Sequence, residues 1–198
     1  HRRRHSFPTR RSSDLFSILA LKKGKILQVV RIPIKLPNLP EIWQGKKLCF
    51  FADTHYGNIY REQSAKRLVA TILEEQPDLL LMGGDFFDGP PIQADLVTEP
   101  YQAITQQIPS FFVSGNHEEY GKKADFLRSL EAHGFRIIND KKVVLDGLQI
   151  VGVHDVEKLR HQQSSIRMNS GLYRCTRLDG RGIVVHQLEE DRRRRQAV

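Results

Sequence analysis

Three short polar motifs stand in strict order along this chain, and each follows an apolar run. They are Asp53-Thr54-His55, Gly84-Asp85-Phe86-Phe87-Asp88 and Gly115-Asn116-His117-Glu118. The runs before them, Lys47–Phe51, Leu79–Met82 and Ser110–Val113, have the length and composition of buried strands. Between them lie gaps long enough for a helix. In Glu62–Glu75, Leu68, Val69, Ile72 and Leu73 are spaced for one helix face, and Pro77 follows. A further helix-like stretch runs through Tyr101 and Ile104, and Ala124–His133 forms another, with Phe126, Leu127 and Leu130 inward and Gly134 as its cap. Strand–helix alternation of this kind predicts a buried sheet with helices packed against it.

The pattern then changes. Arg136–Ile138, Lys142–Leu145 and Leu148–Val153 read as strands, with Asp146-Gly147 as a hairpin turn between the last two. Before the first motif, Val30–Leu36 alternates as a half-buried strand does, and its proline predicts an edge position. Ile183-Val184-Val185 predicts one more short strand ending at His186, whereas Gln162–Gly180 is polar and without period. A layered α/β sandwich accommodates both halves, as one domain or most of one.

Charge narrows the partners. The chain has 198 residues and a formal charge of +8, which invites a nucleic-acid reading. Five arginines and one aspartate in residues 1–15 give +4, and Arg192–Arg195 give another +4, so residues 16–191 are neutral. No specific nucleic-acid binding is expected of the fold. Residues 5–15 can be back-translated into the string of a common short-read sequencing adapter, so residues 1–15 read as a translated artefact and not as a leader. Residues 16–29 read as a lead segment, 30–191 as the domain, and 192–198 as a non-native arginine-rich tail. The apolar stretch Leu15–Leu21 is far shorter than the ~20 residues that cross a bilayer. Cys49 sits in a strand-like run as a small core residue, and Cys175 has no metal-ligand spacing to it.

In α/β sheets ligands gather beyond the carboxyl ends of the strands, which is where all three motifs fall. Aspartate, histidine and asparagine supply the mixed oxygen and nitrogen ligands of two adjacent metal ions, a recurring device against phosphate esters. Asp53 and His55 are two apart, so on continuing strand geometry both point the same way and can grip one ion. Asp85, after two glycines, can bridge two ions. Asn116 offers a neutral oxygen to the second, and His117 is placed to donate a proton to the phosphate or leaving group. Asp88 is expected to shape its loop.

With these motifs, the stretch from about Ile32 to Asp155 resembles the calcineurin-like metallophosphoesterases, and most closely a bacterial, often membrane-associated branch whose domain opens after a lead such as Leu36-Pro37-Asn38-Leu39-Pro40. The resemblance implies an α/β/β/α sandwich, here incomplete at its C-terminal part. It implies two divalent ions drawn from Mn, Fe and Zn, held by Asp53, His55, Asp85 and Asn116, with His117 assisting the leaving group. His186 resembles the family's lone metal-binding histidine after an apolar strand. The family's final Gly-His-x-His motif has no counterpart in the chain. The implied activity is hydrolysis of phosphate mono- or diesters, in a cytoplasmic or membrane-associated bacterial protein. Its alternative is a non-catalytic fragment that keeps the fold as a binding module.

Overall fold

The structure, a computed structural model, describes residues 27–57, 60–88, 93–119 and 123–153, and the backbone of 182–190. Its centre is a six-stranded sheet of β1 (Gln28–Leu36), β2 (Lys47–Phe51), β3 (Leu79–Met82), β4 (Ser110–Phe112), β5 (Arg136–Ile137) and β8 (Gly182–Glu190), in the order β1-β8-β2-β3-β4-β5. Neighbours from β2 to β5 are parallel, as strand–helix alternation requires. β6 (Lys141–Leu145) and β7 (Leu148–Gly152) form a separate antiparallel pair.

Alternation along the strands separates two cores. Cys49 and Phe51 of β2, Leu80 and Met82 of β3 and Phe112 of β4 face the helices. Leu79 and Phe111 face the other way, onto the hairpin side, with Leu48, Leu81 and Val113 partly buried beside them. On the helical side, α1 (Glu62–Glu75) buries Ala65, Leu68, Val69 and Ile72, one face of a 3.6-residue period. It stops before Pro77, which disfavours the right-handed helical region for the residue before it, and Gln76 turns left-handed there at φ 50°.

The helix expected through Tyr101 and Ile104 is broken into α2 (Ala94–Thr98), a 3₁₀ turn at Glu99–Tyr101 and α3 (Gln102–Thr105). Pro100 lacks the amide hydrogen that a continuous helix would use there. Val97, Tyr101 and Ile104 are nevertheless all buried. The short α4 (Asn116–Glu119) precedes α5 (Lys123–Ala132), which buries Phe126 and Leu130.

On the opposite side, Val143, Leu145, Leu148 and Ile150 of the hairpin join Trp43 and Leu39 in the second core. Trp43 donates its indole N–H to the Leu145 carbonyl at 3.0 Å. Asp146 (φ 46°) and Gly147 (φ 82°) both adopt positive φ, the geometry whose twist matches a two-residue hairpin. The α/β class and the layering expected from the sequence are thus what the structure has: helices, a parallel-rich sheet, then a hairpin. A second outer helical layer is not among the described residues.

Two strand expectations are corrected. β1 lies at the edge, as its proline predicts, but it begins at Gln28. The last strand does not end at His186. β8 continues to Glu190, because its nine residues pair in parallel with all of β1, from Gln28↔Gly182 to Leu36↔Glu190, while Lys47–Phe50 of β2 pairs antiparallel on its other side. Pairing with β1 carries Gln187, Glu189 and Glu190 into the strand, which apolar periodicity does not reveal.

Cys49 is a free, buried cysteine as expected. Burial, reinforced by the Glu75 carboxylate, pushes its thiol up to about 12. It stays protonated at pH 8 and is expected to resist alkylation by iodoacetamide in the native protein and to label fully in denaturant, as read by peptide mass mapping. Labelling of native Cys49 at the rate of a free thiol would contradict this packing.

Candidate metal centre

β2, β3 and β4 lie side by side and parallel, so the chain leaves all three at one edge of the sheet. Phe51, Met82 and Phe112 end the strands, and the three motifs begin within a few residues. Asp53 and His55 do not continue the strand. They adopt left-handed backbone at φ 56° and 45°, and Asp85 does so at φ 49°. Such conformations cost about 1–2 kcal/mol per residue and collect at functional sites. Here the first two loops zip together: the amides of Asp53, His55 and Tyr56 donate to the carbonyls of Gly84 (3.0 Å), Asp85 (3.0 Å) and Phe86 (2.7 Å). The Asp88 amide donates back to the Tyr56 carbonyl at 2.8 Å. Asp53 and His55 therefore reach one place by paired left-handed turns and not by strand alternation.

The second and third loops touch at two glycines. Gly84 has φ 88°, and a Cβ on it would overlap the backbone of Gly115. A Cβ on Gly115 would in turn overlap the Asp85 carboxylate. What holds them is Glu118, whose side chain is fully buried. One of its oxygens accepts the amides of Asp85 (3.0 Å) and Gly115 (2.7 Å), and the other accepts those of Phe86 (2.8 Å) and Phe87 (3.3 Å). Asp85 Oδ1 accepts the His117 amide at 3.0 Å, closing the same junction. One layer further out, Asn139 Oδ1 accepts the Ser114 amide at 2.8 Å.

Sequence reasoning treats Glu118 only as the last letter of its motif. The available signal was a carboxylate three residues after a glycine at a helix start, where amides lack intrahelical partners.

Asp53, His55 and Asp85 are half-buried, and each offers one ligand atom within 4.8 Å of the others. Two carboxylates and one imidazole suit a hard or borderline divalent ion. Their left-handed backbones are held by the loops' own hydrogen bonds, so the donor set fits a metal. Asn116 opens α4 on the adjoining loop and is exposed.

His117 and His55 meet edge to face with centroids 4.5 Å apart. Both present Nδ1 to the same oxygen of Asp88, at 3.4 and 4.0 Å. Asp88 is thus more than a loop-shaping residue, since its side chain faces both histidines. Below the site, the hydroxyls of Tyr56 and Tyr101 share a hydrogen bond of 2.9 Å. Burial pushes both well above the usual phenol range, so neither adds negative charge beneath the ligands.

His186 is not brought to this edge. It pairs with Leu48, three residues before β2 ends at Phe51 and roughly 10 Å back along that strand. β8 runs antiparallel to β2, so the chain after His186 leads away from the motifs. The sequence reading of His186 rested on its resemblance to a family histidine that follows an apolar strand, whereas the backbone places it within β8.

Comparison with known proteins agrees with this geometry. The sequence profile of the calcineurin-like phosphoesterases matches residues 46–194, a span containing every motif residue above. A zebrafish (Danio rerio) transmembrane protein with a metallophosphoesterase domain is 24% identical over 170 residues, 81% of this chain and 39% of its own. An uncharacterized metallophosphoesterase of Aquifex aeolicus is 32% identical over 130 residues, 64% of this chain and 47% of its own. One of Helicobacter pylori is 23% identical over 146 residues, 74% of this chain and 40% of its own. The chain spans less than half the length of each of these relatives. The profile match covers most of the chain and coincides with the three convergent loops: the chain belongs to the calcineurin-like phosphoesterase family.

Proposed function

We propose that the protein hydrolyses phosphate mono- or diesters at a binuclear metal centre. Asp53 and His55 hold the first ion, Asp85 is shared, and Asn116 holds the second. The observation that carries this reading is the convergence of Asp53, His55 and Asp85 within 4.8 Å on left-handed backbone, in a chain of this family. Divalent ions bound there, drawn from Mn, Fe and Zn, supply charge stabilisation and activation of water. The remaining work falls to the chain. Asp85 fixes the His117 backbone through its amide. Asp88, 3.4 Å from Nδ1 of His117, orients that ring so that its far nitrogen can protonate the leaving oxygen. The substrate is a phosphate ester. Membrane association of the parent protein is part of the proposal, on the name of the zebrafish relative. Among the described residues, no helix is long and apolar enough to cross a membrane.

The test is hydrolysis of p-nitrophenyl phosphate and bis(p-nitrophenyl) phosphate by the full chain with Mn²⁺. Activity is expected to vanish with a chelator and return with added metal. His117→Ala is expected to lower kcat by about 10²–10⁴-fold with a smaller effect on KM. Activity indifferent to chelator would sink the proposal. A second reading, a binding module that keeps the fold without catalysis, draws on the placement of His186 away from the site. It predicts metal binding without turnover in the same assay.

A further inference from the structure

The residues around His55 form two donor sets. Asp53, His55 and Asp85 make one, and His55, Asp88 and His117 make the other, each with ligand atoms within 4.8 Å. The first holds two oxygens and one nitrogen, and the second two nitrogens and one oxygen. The second set has the dimensions of a coordination shell. Ligands at about 2.0–2.2 Å from a tetrahedral ion stand about 3.4 Å from one another. His117 Nδ1 and Asp88 Oδ1 are 3.4 Å apart, and His55 Nδ1 and the same oxygen are 4.0 Å apart. The three side chains are 34%, 57% and 32% exposed for His117, Asp88 and His55, so a shift of half an ångström meets little resistance and an ion can enter from solvent.

We propose that His55, Asp88 and His117 form a second, nitrogen-rich cation pocket that competes with the oxygen-rich set for His55. The proposal rests on the reading that Asp53, His55 and Asp85 hold the productive ion. Imidazole-rich sets favour the later first-row ions Ni²⁺, Cu²⁺ and Zn²⁺, whereas carboxylate-rich sets suit Mn²⁺. An ion in the nitrogen-rich pocket takes the lone pair of His117 Nδ1, so the ring can no longer be the doubly protonated imidazolium that gives up a proton from its far nitrogen. The identity of the metal thereby decides whether the site is productive: Mn²⁺ leaves His117 available, and excess Zn²⁺ takes it. Without an ion, Asp88 simply orients the two rings.

The experiment measures Zn²⁺ and Mn²⁺ affinity of the full chain by competition with a chromophoric chelator, for the wild type, Asp88→Asn, His117→Ala and Asp85→Asn. The first two variants are expected to weaken the tightest Zn²⁺ binding by about 10–100-fold and to leave Mn²⁺ within about twofold. Asp85→Asn is expected to weaken Mn²⁺ more than Zn²⁺. Unchanged Zn²⁺ affinity in Asp88→Asn and His117→Ala overturns the pocket. Unchanged Mn²⁺ affinity in Asp85→Asn overturns the productive-site reading instead, and the pocket is then judged on Zn²⁺ alone. Should a variant fail to fold, ¹⁵N shifts of the histidine rings in the wild type decide. One equivalent of Zn²⁺ moves the His55 and His117 resonances if the pocket exists, and their constancy overturns it.

Discussion

Glu118→Ala is expected to destabilise the protein by about 4 kcal/mol. Its carboxylate is fully buried and accepts four backbone amides, from Asp85, Phe86, Phe87 and Gly115. Each hydrogen bond to a charged group contributes about 1.5–3 kcal/mol, and each buried donor left unpaired costs about 1–3 kcal/mol. Two of the four amides finding water would still leave a loss of about 3–6 kcal/mol, centred near 4 kcal/mol. For a domain of this size that corresponds to a melting temperature lower by roughly 8–16 °C. Glu118→Gln keeps the shape but turns an NH₂ group toward two amide donors, so about half the loss is expected. Thermal melts followed by circular dichroism read both. A melting temperature within about 2 °C of wild type for the alanine variant would mean that the two loops are held by something other than this carboxylate.

Asp85→Asn is expected to do the reverse, leaving the fold and removing the chemistry. The asparagine oxygen can still accept the His117 amide that Asp85 Oδ1 accepts at 3.0 Å. The left-handed backbone at φ 49° is also one that asparagine tolerates better than most residues. What is lost is the negative charge that Asp85 would bring to the proposed metal centre. Changes outside the ligand shell already cost 10–100-fold in metal affinity or activity, so loss of a ligand charge is expected to lower metal-dependent hydrolysis by at least about 10²-fold. The melting temperature is expected to stay close to wild type. Retained hydrolysis at saturating Mn²⁺ would remove Asp85 from the centre.

The contrast between these two carboxylates also marks what the sequence made legible. Buried strands show as short apolar runs, so β2, β3 and β4 were readable, as were α1 from its 3.6-residue period and the hairpin from Asp146-Gly147. Because parallel strands deliver their ends to one edge, Asp53, His55, Asp85 and His117 could be gathered before any coordinates. Backbone conformation was not legible in the same way. Left-handed φ at Asp53 and His55 depends on hydrogen bonds to a loop some thirty residues away, so strand alternation gave the right convergence for the wrong reason.

Long-range partners were equally hidden. Glu118 and Asp88 act through groups that only tertiary contact supplies, and the true end of β8 was hidden because pairing with β1 carries Gln187, Glu189 and Glu190, which no apolar period announces. The break at Pro100 belongs to the other kind: the signal was in the sequence, and buried Val97, Tyr101 and Ile104 masked it by keeping one apolar face across the break.

Asp53, His55 and Asp85 are expected to hold a metal ion. The measurement that addresses this most directly is a Mn²⁺ titration of the full chain followed by electron paramagnetic resonance, which counts free Mn²⁺ as protein is added. The wild type is expected to remove Mn²⁺ from the free signal at protein-equivalent concentration. Asp53→Asn, folded by the same thermal melt, is expected to leave it free. Identical Mn²⁺ uptake by the two proteins would place the ion elsewhere and contradict the account.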